Sequence, residues 1–190
     1  MKTTVSKLLL GAAIAACFSA APLAAQAKAP AATMNTPAAP ALAKADEKIV
    51  IGMAQANIAE VEAGKLAVSK TQNADVKAFA QQMIDDHTKA LADVTTLAQS
   101  KGVTLPTEPD AKHKAMAAKL GKLSGDKFDK AYMAQAGVQD HTKVEAALKK
   151  DEAKAKDADV KALLAKMLPT VEQHLHNATE MKSGAKTAAK

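Results

Sequence analysis

Apolar residues recur at spacings of three and four along four long stretches of this chain, the mark of helices that bury one face. The first stretch covers roughly 45–71 and carries Ile49, Met53, Ala56, Glu60, Ala63 and Ala67 on one stripe. The second, roughly 74–101, carries Val76, Ala80, Met83, His87, Leu91, Val94 and Ala98. Asn73 is placed to cap its start, and Gly102 to end it as a glycine just past the last turn. The third, about 126–154 after Ser124-Gly125, shows Phe128, Ala131, Gln135, Val138, His141, Glu145 and Leu148. The fourth, roughly 158–183 and capped by Asp157, shows Val160, Leu164, Met167, Val171, His174, Ala178 and Met181. A connector through Leu105-Pro106 leads to a short helix near 109–121, begun by Thr107. The pattern predicts an all-α antiparallel four-helix bundle with a short extra helix between the second and third long helices.

Composition agrees with helix. Apolar residues make up 48 % of the chain but aromatics only 2 %, so alanine, leucine and methionine carry the core. Strand-favouring aromatic and β-branched residues are scarce. A repeat adds to the picture: Ala74-Asp75-Val76-Lys77-Ala78 recurs at Ala158 to Ala162, an offset of 84 residues. That offset reads as a duplicated helical hairpin. A second repeat, Asp86-His87-Thr88-Lys89 and Asp140-His141-Thr142-Lys143, has an offset of 54 and does not fit the same duplication.

The net charge is +6, and every cationic residue is lysine. Nucleic-acid readers rely on arginine forks and stacking aromatics, and this chain has neither in quantity, so no nucleic-acid partner is expected. Lysines alternate with acids along the helices, which makes only a weak case for binding an anionic envelope surface.

Lys2 and Lys7 precede an apolar run from Leu8 through Ala25 that ends in Ala25-Gln26-Ala27, the small-x-small form of a signal-peptidase site. Residues 1–27 therefore read as a signal peptide of an exported, periplasmic protein. Cys17, the single cysteine, sits in Ile14-Ala15-Ala16-Cys17, a loose lipobox, so an outer-membrane lipoprotein is the alternative. Phe18 to Ala25 stays apolar where a lipoprotein would turn polar, which favours cleavage after Ala27 over a lipid anchor at Cys17. Residues 28–44 are rich in alanine and proline and read as a disordered tether, with 45–183 the helical domain and 184–190 a disordered tail.

Several ordered motifs resemble one family. They are Ala59-Glu60-Val61 with Gly64 and Leu66-Ala67, Phe79-Ala80 with Met83 and Asp86-His87, and Gly102-Val103 with Leu105-Pro106. Phe128-Asp129 with Tyr132, the His141 region, and Leu168-Pro169 with His174-Leu175 complete the set. Over about residues 45–181 the chain is similar to the family called domain of unknown function 4142. The resemblance implies an exported bacterial protein with a ferritin-like helical bundle, and implies no activity. The outer-membrane label that the family often carries conflicts with the absence of alternating strands for a barrel.

Each of the four stripes carries a polar residue that has to be explained: Glu60, His87, His141 and His174. At 1.5 Å per residue, Glu60 and His87 stand about 18 and 22 Å from the first hairpin turn. His141 and His174 stand about 22 and 27 Å from the second, so all four fall near one level. One inward polar side chain from each helix is how bundles build metal sites. Three imidazoles and a carboxylate suit one transition-metal ion, zinc, iron, manganese or copper, with Glu145 as a reserve ligand. The ferritin-like di-iron pattern needs Glu-x-x-His, and no such tetrad occurs in this sequence.

A structural reading stands beside the metal reading. Each histidine could bond Glu60, Glu145, Gln135 or Tyr132 in a polar layer that fixes register, in a structural or interaction bundle of the envelope. Asp86 and Asp140, next to histidines, are expected to face sideways, and His113 and His176 to be solvated. Met53, Met83, Met133, Met167 and Met181 read as core fillers rather than a copper cluster. Pro169 removes a backbone donor and is expected to bend the fourth helix. No nucleophile–base pair, phosphate loop or paired-carboxylate site is visible, so an enzyme is not indicated.

Overall fold

A computed structural model describes residues 41–187, with side chains through 184. The expected signal peptide, Cys17 and most of the expected tether lie outside the described residues. No strand occurs among those described. The helices are α1 (Lys44–Lys70), α2 (Ala74–Ser100), α3 (Ala111–Gly121) and α4 (Gly125–Tyr132). A π-helical segment (Met133–Asp140) then leads into α5 (His141–Lys154), and α6 (Ala158–Thr187) follows. The last helix runs through Pro169 and beyond the expected end at 183, so part of the expected tail is helical.

Local chemistry sets the boundaries. Asn73 accepts from the backbone N–H groups of Asp75 and Val76, and Asp157 accepts from those of Asp159 and Val160. The 84-residue repeat thus marks two helix starts with the same cap, each satisfying donors that a helix leaves free. At the end of α2, Val103 N–H reaches Ala98 C=O and Gly102 N–H reaches Gln99 C=O. Gly102 takes φ 69°, so this is a Schellman stop. The short helix α3 is capped by Asp110, whose carboxylate accepts from His113 N–H, and not by Thr107 as expected. Aspartate is the stronger cap, and it stands immediately before the first helical residue.

The hairpins α1–α2 and α5–α6 pack around two hydrophobic clusters. One gathers Val50, Ala54, Val94, Leu148, Val160 and Leu164, and the other gathers Ala67, Phe79, Met83, Phe128, Tyr132 and Ala178. Close approach is built in at Gly64, where an added Cβ would lie 2.9 Å from Ile84 Cγ1 and 3.0 Å from Ala80 O. Asp46, 1 % exposed, accepts from Lys156 N–H at 3.0 Å and Asp157 N–H at 2.8 Å, so the start of α1 pins the α5–α6 turn. Lys101 ties the end of α2 to the start of α6 by reaching Asp157 at 2.8 Å and Asp159 at 2.7 Å.

The π segment departs from the expected continuous α-helix. Its i→i+5 hydrogen bonding lengthens each turn by a residue. The buried series there is Phe128, Tyr132, Ala136, Gly137, Asp140 and His141, in place of Ala131, Gln135 and Val138, which are only half-buried. Gly137 permits the closeness of this segment to α6, since a Cβ would sit 3.1 Å from Ala178 Cβ.

A buried triad of histidines between two hydrophobic clusters

The two hydrophobic clusters are separated along every long helix by polar residues. On α1 these are Asn57 and Glu60, on α2 His87, at the π–α5 junction Asp140 and His141, and on α6 His174; all six are buried. Ring centroids stand 5.6 Å apart for His87 and His141, 5.2 Å for His87 and His174, and 5.3 Å for His141 and His174. One ring nitrogen from each of the three lies within 4.8 Å of the others.

Each ring uses one nitrogen on a fixed acceptor. His87 Nδ1 lies 2.9 Å from Asn57 Oδ1, and Asn57 is oriented by donating from Nδ2 to Met53 O at 2.8 Å. His141 Nδ1 lies 2.8 Å from Ala136 O, five residues back across the π segment. His174 Nε2 lies 2.9 Å from Asp86 Oδ2. A carbonyl or carboxylate oxygen can only accept, so each of those nitrogens carries the proton. The other nitrogens, His87 Nε2, His141 Nε2 and His174 Nδ1, are buried and have no hydrogen-bond partner. These three rings therefore hold outward protons and three free lone pairs.

Electrostatics keeps them neutral. Burial, and then the neighbouring His141 and His174, holds His87 well below the ordinary imidazole value. Burial lowers His141 to about 4, against the opposing pull of its bond to Ala136. Burial lowers His174 too, with Asp86 working in the other direction. Neutral imidazole is the form that ligates metals.

Glu60 Oε1 lies 4.0 Å from His141 Nδ1, and Glu60 Oε2 is buried without a partner. Burial, and then Asp140, pushes its carboxyl up to about 8, so at neutral pH it is mostly an uncharged acid. Glu60, His87 and His141 line a cavity of about 30 Å³ together with Met53 and Met167. That is room for about one water.

Several expectations are corrected. Glu145 stays outside the layer, half-buried and bound to Lys149, one helical turn beyond His141 on α5. The acceptors for the histidines are Asn57, the Ala136 carbonyl and Asp86, in place of Glu145, Gln135 or Tyr132. Tyr132 packs against Phe79 and Phe128, with centroids at 6.3 and 6.0 Å, and its hydroxyl has no partner. Asp86 does not merely face sideways, since its carboxylate reaches across to α6. Asp140 and His113 are largely buried and lie 4.0 Å apart, so His113 is not solvated as expected. His176 is exposed beside Glu180 at 3.3 Å.

An all-helical chain with a polar histidine layer splitting its core defines the class structurally. The sequence matches the family described as Domain of unknown function (DUF4142) over residues 31–181, and the chain belongs to that family. No curated protein matches it. Two solved structures share the fold. The DUF305 fragment from Deinococcus radiodurans is 12 % identical with a TM-score of 0.67, covering 76 % of this chain and 99 % of that one. CopM in the Cu(II)-bound form is 14 % identical with a TM-score of 0.61, covering 73 % of this chain and 96 % of that one. At such identities the likeness concerns fold alone.

Proposed function

We propose that this chain is an exported, ferritin-like antiparallel four-helix bundle that binds one transition-metal ion through His87 Nε2, His141 Nε2 and His174 Nδ1. The observation that carries the proposal is three buried ring nitrogens without a hydrogen-bond partner, on histidines whose nitrogens come within 4.8 Å of one another. In a purely hydrogen-bonded layer, an N–H of one ring would serve the lone pair of the next. Here every ring proton is taken by an acceptor outside the triad, which leaves a cation as the natural complement. Orphaned polar groups of this kind cost about 1–3 kcal/mol each.

Ligating histidines characteristically give their second nitrogen to a carbonyl or carboxylate, and all three rings do so here. The three nitrogens, now within 4.8 Å of one another, would draw closer together to share one ion. The fourth position is supplied from the adjacent cavity, by water or by Glu60 once a cation favours its ionised form. Imidazole suits copper and zinc alike, and Met53 and Met167 add soft donors that favour copper. Similarity of fold to a protein described in a Cu(II)-bound form makes copper the first ion to test. With no nucleophile or open substrate cleft at the triad, the activity proposed is binding and buffering of the ion in the envelope.

The test is electron paramagnetic resonance of untagged protein loaded with one equivalent of Cu(II). Hyperfine splitting from imidazole nitrogens that disappears in His141→Ala is the expected result. A spectrum of free or oxygen-bound copper in the wild type refutes the proposal.

A further inference from the structure

We infer that a pocket of about 120 Å³ between α2 and α6 is the port through which the ion reaches the histidines, an inference that rests on the metal-binding reading above. Its walls run from the buried Asn57 and His87 to the exposed Lys89 and Lys166, with Asp86 and Asp93 between them. Ala90, Met167 and Val171 complete the wall, so it is a recess of mixed polarity that leads from solvent to the His87 side chain.

The chemistry of the walls distinguishes it from the other void at the triad. The smaller cavity beside Glu60 shares Asn57, His87, Met167 and Val171 with the pocket, but the surface it presents is almost wholly apolar. A hydrated cation sheds water reluctantly, and an apolar wall offers nothing in exchange. Along the α2–α6 pocket, two carboxylates and an amide oxygen can replace water stepwise. Asp86 links the two ends directly. Its side chain is 38 % exposed, yet its Oδ2 holds His174, whose side chain is fully buried.

The mouth is electrostatically balanced by an ion pair. Lys166 Nζ lies 2.7 Å from Asp93 Oδ2, and these side chains are 61 % and 36 % exposed. Exposed pairs of this kind open readily. Their polar groups pair with each other and not with a histidine, so both act on the route and not on the ligand set. Removing the lysine leaves an unpaired carboxylate that attracts cations to the mouth, and removing the aspartate leaves an unpaired ammonium that repels them.

The experiment is stopped-flow association of Cu(II) with the full mature chain, read by competition with a chromophoric chelator. Lys166→Ala speeds association and Asp93→Ala slows it, each by about 3- to 10-fold, with the difference shrinking in high salt. Thr170→Trp, at another position on the pocket wall, slows association and release together while equilibrium affinity stays within about twofold. Unchanged rates in all three variants, alongside normal wild-type binding, overturn the port and leave metal binding intact. Absence of any Cu(II) binding by the wild type overturns the metal-binding reading and the port with it.

Discussion

His174 Nε2 lies 2.9 Å from Asp86 Oδ2, so a carboxylate on α2 that water can reach fixes the tautomer of a fully buried imidazole on α6. The bond leaves His174 Nδ1 unprotonated, buried and without a partner. A carboxylate behind a ligating histidine also raises the basicity of the ring.

Asp86→Ala is therefore expected to weaken ion binding by about 10- to 100-fold while the helical content stays intact. Competition against a chelator of known affinity measures the first effect, and far-UV circular dichroism the second. An unchanged affinity would show that Asp86 does not orient the site.

Asn57 makes a different prediction, about stability without metal. Asn57→Ala removes the acceptor of the His87 ring proton, and both residues are buried. The orphaned donor costs about 1–3 kcal/mol, to be read from urea denaturation of metal-stripped protein. A loss under a few tenths would mean the layer reorganises around His87.

Metal-stripped stability also depends on pH, with two limbs of opposite sign. His87, His141 and His174 all sit below the ordinary value of 6.5, His141 at about 4. The unfolded chain takes up protons that the folded one refuses, so stability is complete above pH 6.5 and is lost as pH falls toward about 4. Glu60 acts in reverse, since its folded value is raised from 4.5 to about 8. Its contribution is full below pH 4.5 and is lost as pH rises through about 8. The urea midpoint is expected to fall on both sides, and Glu60→Gln should flatten the alkaline limb while keeping the acid one. An alkaline limb that survives in Glu60→Gln would contradict the burial of this carboxyl.

Packing between α1 and α2 supplies a further test. Gly64→Ala places a Cβ 3.0 Å from the Ala80 carbonyl, a backbone atom that cannot swing away. Overpacking of this kind costs about 1–3 kcal/mol. A variant as stable as the wild type would show that α1 and α2 separate freely.

The polar layer was legible in the sequence because His87, His141 and His174 fall on stripes whose apolar members are unambiguous. Its supports were harder to read, for physical reasons. Ala56 and Asn57 both satisfy the spacing from Met53 and Glu60, and hydrophobicity favours Ala56, yet Asn57 is the one that turns inward to meet His87. Asp86 follows the rule that helix neighbours diverge, but its carboxylate is long enough to cross to the adjacent helix. The π segment changes the period from Met133 to Asp140, so an α-helical count misassigns Gln135 and Val138 while still landing on His141. Gly137 was the available signal, a residue without a side chain at a point where two helices close up.

Ligand linkage gives an independent readout. An ion that binds only the folded state stabilises it by about 2.7 kcal/mol at 100 times its dissociation constant. One equivalent of Cu(II) or Zn(II) should raise the melting temperature, excess chelator should reverse the rise, and His87→Ala should show neither response. A melting curve indifferent to both ion and chelator in the wild type would favour a layer closed by water alone.

Isothermal titration of Cu(II) and Zn(II) into untagged, metal-stripped protein, wild type and each of five single histidine-to-alanine variants, tests the central claim most directly. One ion per chain is predicted for the wild type, with affinity falling at least about 100-fold in His87→Ala, His141→Ala and His174→Ala, roughly the worth of one ligand. His113→Ala and His176→Ala are predicted to bind as the wild type does. No binding by the wild type, or binding that depends on His113 or His176 and survives loss of the buried three, would contradict the account.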